Sequence, residues 1–116
     1  MEKPKVYISG PISGMEREVY MRNFREREVF LQLEGLRVVN PTRVWACRWK
    51  WLWKILAGIT SEHTIYRLTL LYDLWLLMRC DGIYMLDGWQ QSRGARIEHA
   101  VAESMCKLIV DNRSFV

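Results

Sequence analysis

Glu98 is the residue whose surroundings point most clearly to chemistry. It closes the stretch Ser92-Arg-Gly-Ala-Arg-Ile-Glu98, which opens on a residue suited to capping a helix. On a helix that begins near Arg93, the residues Gly94, Ile97, Glu98, Val101 and Met105 share one face. That face is otherwise small or apolar, so the carboxylate is turned inward. An ionised carboxylate is costly to bury without partners, and a place early in a helix favours its charged form through the helix dipole. A charged, partly desolvated carboxylate is what attack on a glycosidic carbon requires. A second reading stays open beside it, in which the glutamate simply accepts hydrogen bonds from backbone N–H groups at the helix start.

Three more residues qualify by type. Asp73 sits inside the apolar run Leu70-Leu-Tyr-Asp-Leu-Trp-Leu-Leu77, where a carboxylate is either exposed on a narrow polar stripe or functional. Asp81 falls between a helix and a strand, where a cap or turn is the default role. Tyr7 lies in the first strand, where a core tyrosine is the default. Convergence of Tyr7, Asp73 and Glu98 would let the phenol hold the nucleophile by a hydrogen bond. The aspartate would then bind sugar hydroxyls or protonate a leaving base.

Two loops suit an anion. Ser9-Gly-Pro-Ile-Ser-Gly14 and Gln91-Ser-Arg-Gly94 both offer N–H groups and hydroxyls beside a helix start. The patterns of a dinucleotide fold and of a P-loop are both missing. His63 and His99 are too isolated for a metal site and read as surface residues. Cys47, Cys80 and Cys106 are odd in number, widely spaced and without a CxxC, which argues against a disulfide framework or zinc and for buried free thiols in a reducing cytosol. No cofactor is expected.

The elements that must position these groups follow from local pattern. Lys5–Ser9 reads as a strand, 16–33 as a helix whose stripe is Val19, Phe24, Val29, Phe30 and Leu33, and Leu36–Val39 as a second strand. A helix from about Ser61 or Thr64 to Arg79 leads to a strand at Gly82–Leu86. A helix at Arg93–Met105, capped by Ser92, leads to a last strand at Cys106–Val110. This alternation predicts a single α/β domain over 1–116. The expected architecture is a flavodoxin- or Rossmann-like three-layer fold with a mostly parallel sheet of four to five strands. Sites in such folds lie outside the carboxyl ends of the strands, which brings 10–14 and 87–94 to one edge.

Between the second strand and the next helix lies a basic insertion at about 44–62 with four tryptophans, Trp45, Trp49, Trp51 and Trp53. It reads as an amphipathic core or dimer-interface helix, as a lid whose rings stack on a base, or, least of the three, as a membrane-surface helix. The run Leu68–Met78 is short of a membrane span and contains Asp73. No signal peptide is recognised, which leads us to expect a cytoplasmic protein. The net charge of +4 suits anionic ligands such as phosphates and is too small to argue for a nucleic-acid polymer.

Taken together, Val6-Tyr-Ile-Ser-Gly-Pro-Ile-Ser-Gly14, Val39-Asn-Pro41, Asp73-Leu74, Cys80-Asp81, Gly88-Trp89 and Ser92-Arg-Gly-Ala-Arg-Ile-Glu98 resemble the nucleoside 2-deoxyribosyltransferase superfamily. The resemblance is closest to its small DUF4406 branch of bacteria and their phages, and extends to the 2′-deoxynucleoside 5′-monophosphate N-hydrolases. It implies N-glycosidic cleavage of a nucleoside or nucleotide, hydrolysis before transfer, in a homodimer. It implies Glu98 as nucleophile, Tyr7 as the group that orients it, Asp73 on the sugar and Asp81 in protonation of the base. Ser9, Gly10, Ile12 and Gly14 would surround sugar and phosphate, Ser92 would hold the 5′-phosphate, and Trp89 and Gly94 join the binding set through their motifs. Ser13 stands where the monophosphate hydrolases carry a basic residue, with Arg93 or Arg96 as substitutes.

Overall fold

The computed structural model describes residues 3–12, 14–42 and 62–111, with the backbone alone over 62–69. The expectations for the Trp-rich insertion, Cys47, Ser13 and the side chain of His63 lie outside the described residues. Among the described residues, four strands and three long helices alternate: β1 (Lys5–Ser9), α1 (Arg17–Leu33), β2 (Arg37–Val39), α2 (Glu62–Met78), β3 (Gly82–Met85), α3 (Arg93–Ser104) and β4 (Leu108–Asp111). The sheet is parallel throughout, in the order β2-β1-β3-β4. This is the expected α/β class with a parallel sheet between helical layers.

The order reverses at β1. The chain steps from β1 to β2 on one side, then returns to add β3 and β4 on the other. Crossovers between parallel strands are right-handed, so a reversal of direction moves the connecting helices to the opposite face. Strand alternation shows this directly. Val6, Ile8, Tyr84 and Leu86 pack with Phe24 and Leu31 of α1, while Tyr7, Ile83 and Met85 pack with Leu77 of α2 and Ala95 and Ala102 of α3. The two clusters form the two halves of the core.

Three details differ from the sequence reading. The inward stripe of α1 is Phe24, Glu28 and Leu31, whereas Val29 and Leu33 are exposed. A glutamate takes an inward position there, and a search for apolar periodicity passes over it. The inward face of α3 is likewise Ala95, Glu98 and Ala102, with Met105 left exposed. β4 begins at Leu108 and not at Cys106, because 105–107 are spent leaving α3.

That exit is a Schellman turn. Cys106 N–H donates to the Glu103 carbonyl and Lys107 N–H to that of Ala102. The same pair of bonds ends α1, from Gly35 to Gln32 and from Leu36 to Leu31. Gly35 takes the required left-handed conformation at φ +88, whereas Cys106 takes it at φ +56 with a Cβ. Cys106 is also exposed, against the expected burial of all thiols. Cys106→Gly is therefore expected to stabilise the fold by about 1 kcal/mol, read as a higher urea midpoint. Among the described residues, no helix is long and apolar enough to cross a membrane.

Candidate active site

β1 ends at the point where strand order reverses, and its last residues carry the site. Tyr7 and Ser9 are two apart, so the strand period turns both toward α2 and α3. Both are buried, Tyr7 completely. Ser9 Oγ donates a hydrogen bond to Glu98 Oε1 at 2.9 Å. Ser9 thus contacts the carboxylate itself, a partnership that its spacing from Tyr7 on one strand would have signalled.

Glu98 is only 6 % exposed. It sits in the second turn of α3, past the N–H groups that an early glutamate would accept from. Of the two readings open for Glu98, the backbone-bonded one is therefore not what the fold builds. Nor does the helix dipole hold the group charged, because its effect fades beyond the first turn. Burial pushes the carboxyl up to about 7, against the lowering effect of hydrogen bonding from Tyr7 and Ser9. Near neutrality Glu98 is therefore divided between its acid and its anion. Oε2 is buried, and among the described residues it accepts no hydrogen bond of ordinary geometry. The Tyr7 phenol acts on the same carboxylate and favours its charged form. The phenol itself is held well above its usual range, by burial first and then by the charges of Glu98 and Asp73.

Asp73 joins the same cluster. It lies one turn before Leu77 on the inward face of α2 and is 7 % exposed, not out on a polar stripe. Tyr7, Ser9, Asp73 and Glu98 are therefore brought together, which meets the condition the sequence reading left open for Tyr7, Asp73 and Glu98. Asp81 is not among them. It is exposed at the opposite, amino-terminal edge of β3, where Oδ2 accepts from Lys5 N–H at 2.9 Å and the Asp81 N–H donates to the Lys5 carbonyl at 2.7 Å. The four-residue strand between that edge and the site spans about 13 Å, too far for Asp81 to protonate a ligand at Glu98. Its work is to pin the start of β1 to β3.

The loops are placed as follows. Gly10 is buried at the switch point, where an added Cβ would stand 2.7 Å from both Cβ and Cδ1 of Leu86. Gly10→Ala should therefore cost about 1–3 kcal/mol, seen as a lowered thermal midpoint. Gly14 is exposed at φ +81 with open space around it. Ile12 packs with the cluster on the α1 side of the sheet, away from Glu98. Ser92 caps α3, accepting from Ala95 N–H at 3.3 Å, and Gly94 lies half-buried in the first turn. Trp89 begins a 3-10 turn at Trp89–Gln91 and stacks on His99, with ring centroids 4.4 Å apart. His99 is thus half-buried under an indole, not a plain surface residue. Among the described residues no group of three or more His, Cys, Asp or Glu is placed to hold a metal.

A parallel sheet whose strand order reverses at β1, with helices on both faces, defines the doubly wound α/β class. Within that class the chain belongs to the family described as domain of unknown function (DUF4406), whose model matches residues 4–111. No curated protein matches the chain.

Proposed function

We propose that this chain cleaves the N-glycosidic bond of a nucleoside or nucleoside 5′-monophosphate through Glu98, by hydrolysis in preference to transfer. The observation that carries this reading is the burial of Glu98 at the switch point beside Tyr7, Ser9 and Asp73. The ionised Glu98 attacks C1′ as the C1′–N bond breaks, and the electron pair of that bond leaves with the base. The base takes a proton from Asp73 or from solvent, since Asp81 faces the other edge. Water then adds to C1′ and gives its proton to a general base, releasing Glu98 as a carboxylate. Tyr7 and Ser9 hold the carboxylate in one orientation. Ser92 lies six residues before Glu98, about 9 Å along the helix axis, a rise comparable with a pentose and its 5′-phosphate. The resemblance to the nucleoside 2-deoxyribosyltransferase superfamily supports the same assignment, along with a cytoplasmic homodimer and a bacterial or phage setting.

The test is incubation with nucleosides, deoxynucleosides and their 5′-monophosphates, followed by chromatography of free bases. A second base is added to half of the reactions and Glu98→Ala serves as the blank. Base release by the wild type alone supports the reading, and a new nucleoside in the added-base reactions changes hydrolase to transferase. No release from any substrate sinks it. A second reading, a nucleotide-binding module without turnover, is favoured by the partial protonation of Glu98 near neutrality. It requires binding without release.

A further inference from the structure

The face of the sheet away from Glu98 holds a cavity. It has a volume of about 440 Å³ and opens between α1 and the end of β2, with Arg22, Arg25, Glu28 and Val29 on one wall and Asn40 and Thr42 on the other. Cavities of this size hold small molecules. At its base Asn40 is 3 % exposed. Asn40 Oδ1 accepts both the Thr42 N–H, at 3.1 Å, and the Thr42 hydroxyl, at 2.6 Å. These bonds fix which way the amide faces, because the flipped amide would set its own N–H groups against the Thr42 N–H. Nδ2 is thereby committed, and it has no acceptor among the described residues. A buried donor without an acceptor calls for one.

The charges of the walls say which kind. Arg22 and Arg25 lie one turn apart on the exposed side of α1 and outnumber the single carboxylate of Glu28. Val29 adds an apolar wall. We propose that this groove binds a small phosphate monoester, with Asn40 Nδ2–H donating to a phosphate oxygen and Arg22 and Arg25 meeting its charge. Guanidinium groups and a fixed amide donor match a phosphate in both charge and hydrogen bonding. The site stands apart from Glu98 and does not depend on the reaction proposed there.

The experiment is a titration of the 15N-labelled protein with glycerol 3-phosphate and with inorganic phosphate, followed by NMR, with glycerol as the uncharged control. The Asn40 side-chain amide pair and the Arg22 and Arg25 Nε–H signals should move saturably with glycerol 3-phosphate and stay still with glycerol. Asn40→Asp keeps an acceptor toward Thr42 and replaces the donor, and should weaken binding at least tenfold. Glu98→Ala should leave the titration unchanged, which separates this site from the one at Glu98. Asn40 signals that stay still, or equal affinity in a folded Asn40→Asp, overturn the proposal. So does a nuclear Overhauser contact in the free protein that places another part of the chain against the Asn40 amide. Should Asn40→Asp fail to fold, the Arg22→Gln, Arg25→Gln double variant carries the test, and unchanged affinity there overturns the proposal.

Discussion

Glu98→Gln is expected to lower the rate of base release at least about a thousandfold while the fold stays intact, since an amide cannot act as the nucleophile. The wild type should show the matching pH signature. Only the anion attacks, and burial sets the carboxyl at about 7. The single-turnover rate should therefore fall about tenfold for each pH unit below 7 and level off above it. A flat profile from pH 5 to 8 would mean that Glu98 is not the titrating nucleophile. A profile of the expected shape with full activity in Glu98→Gln would move the role to another acid.

The same group should make the protein less stable as pH rises, whatever reaction it serves. The folded carboxyl titrates near 7 and the unfolded one near its ordinary 4.5. Below 4.5 both states are protonated and the burial of Glu98 has no ionic cost. Between 4.5 and 7 the unfolded chain releases its proton and the folded chain retains it, so stability declines; above 7 the loss is complete. A difference of that size corresponds to about 3 kcal/mol. Glutamine does not ionise and keeps an acceptor for Ser9. The stability of Glu98→Gln relative to wild type should thus shift by about 3 kcal/mol in the variant's favour between pH 4 and pH 8, measured by urea denaturation. Constant relative stability across that range would show that Glu98 is hydrated in the folded protein.

Much of this site was legible because its geometry is periodic. The alternation of elements defined the parallel sheet, the sheet defined the edge where a ligand would sit, and helical spacing turned Glu98 inward. What escaped depended on neighbours distant in sequence. Asp81 follows a helix and opens a strand whether or not it faces a ligand, and only pairing with Lys5 shows that it belongs to the far edge. Glu28 was passed over because an inward glutamate breaks an apolar stripe, and a stripe is what periodicity detects. The acidity of Glu98 differs from the sequence reading for a related reason. Distance from the helix start weakens the dipole, while the burial that outweighs it comes from β1, α2 and α3 together.

The pairing of β1 carries a consequence for how this protein can change. β1 is hydrogen-bonded on both sides, and it presents Tyr7 and Ser9 to one layer and Val6 and Ile8 to the other. Loss or gain of one residue within it would exchange the two sets, sending aliphatic side chains to the carboxylate and hydroxyls into the oily layer. The strand therefore behaves like a reading frame. Substitutions can adjust the chemistry at Glu98 one letter at a time, whereas a single insertion would scramble both faces of the molecule at once.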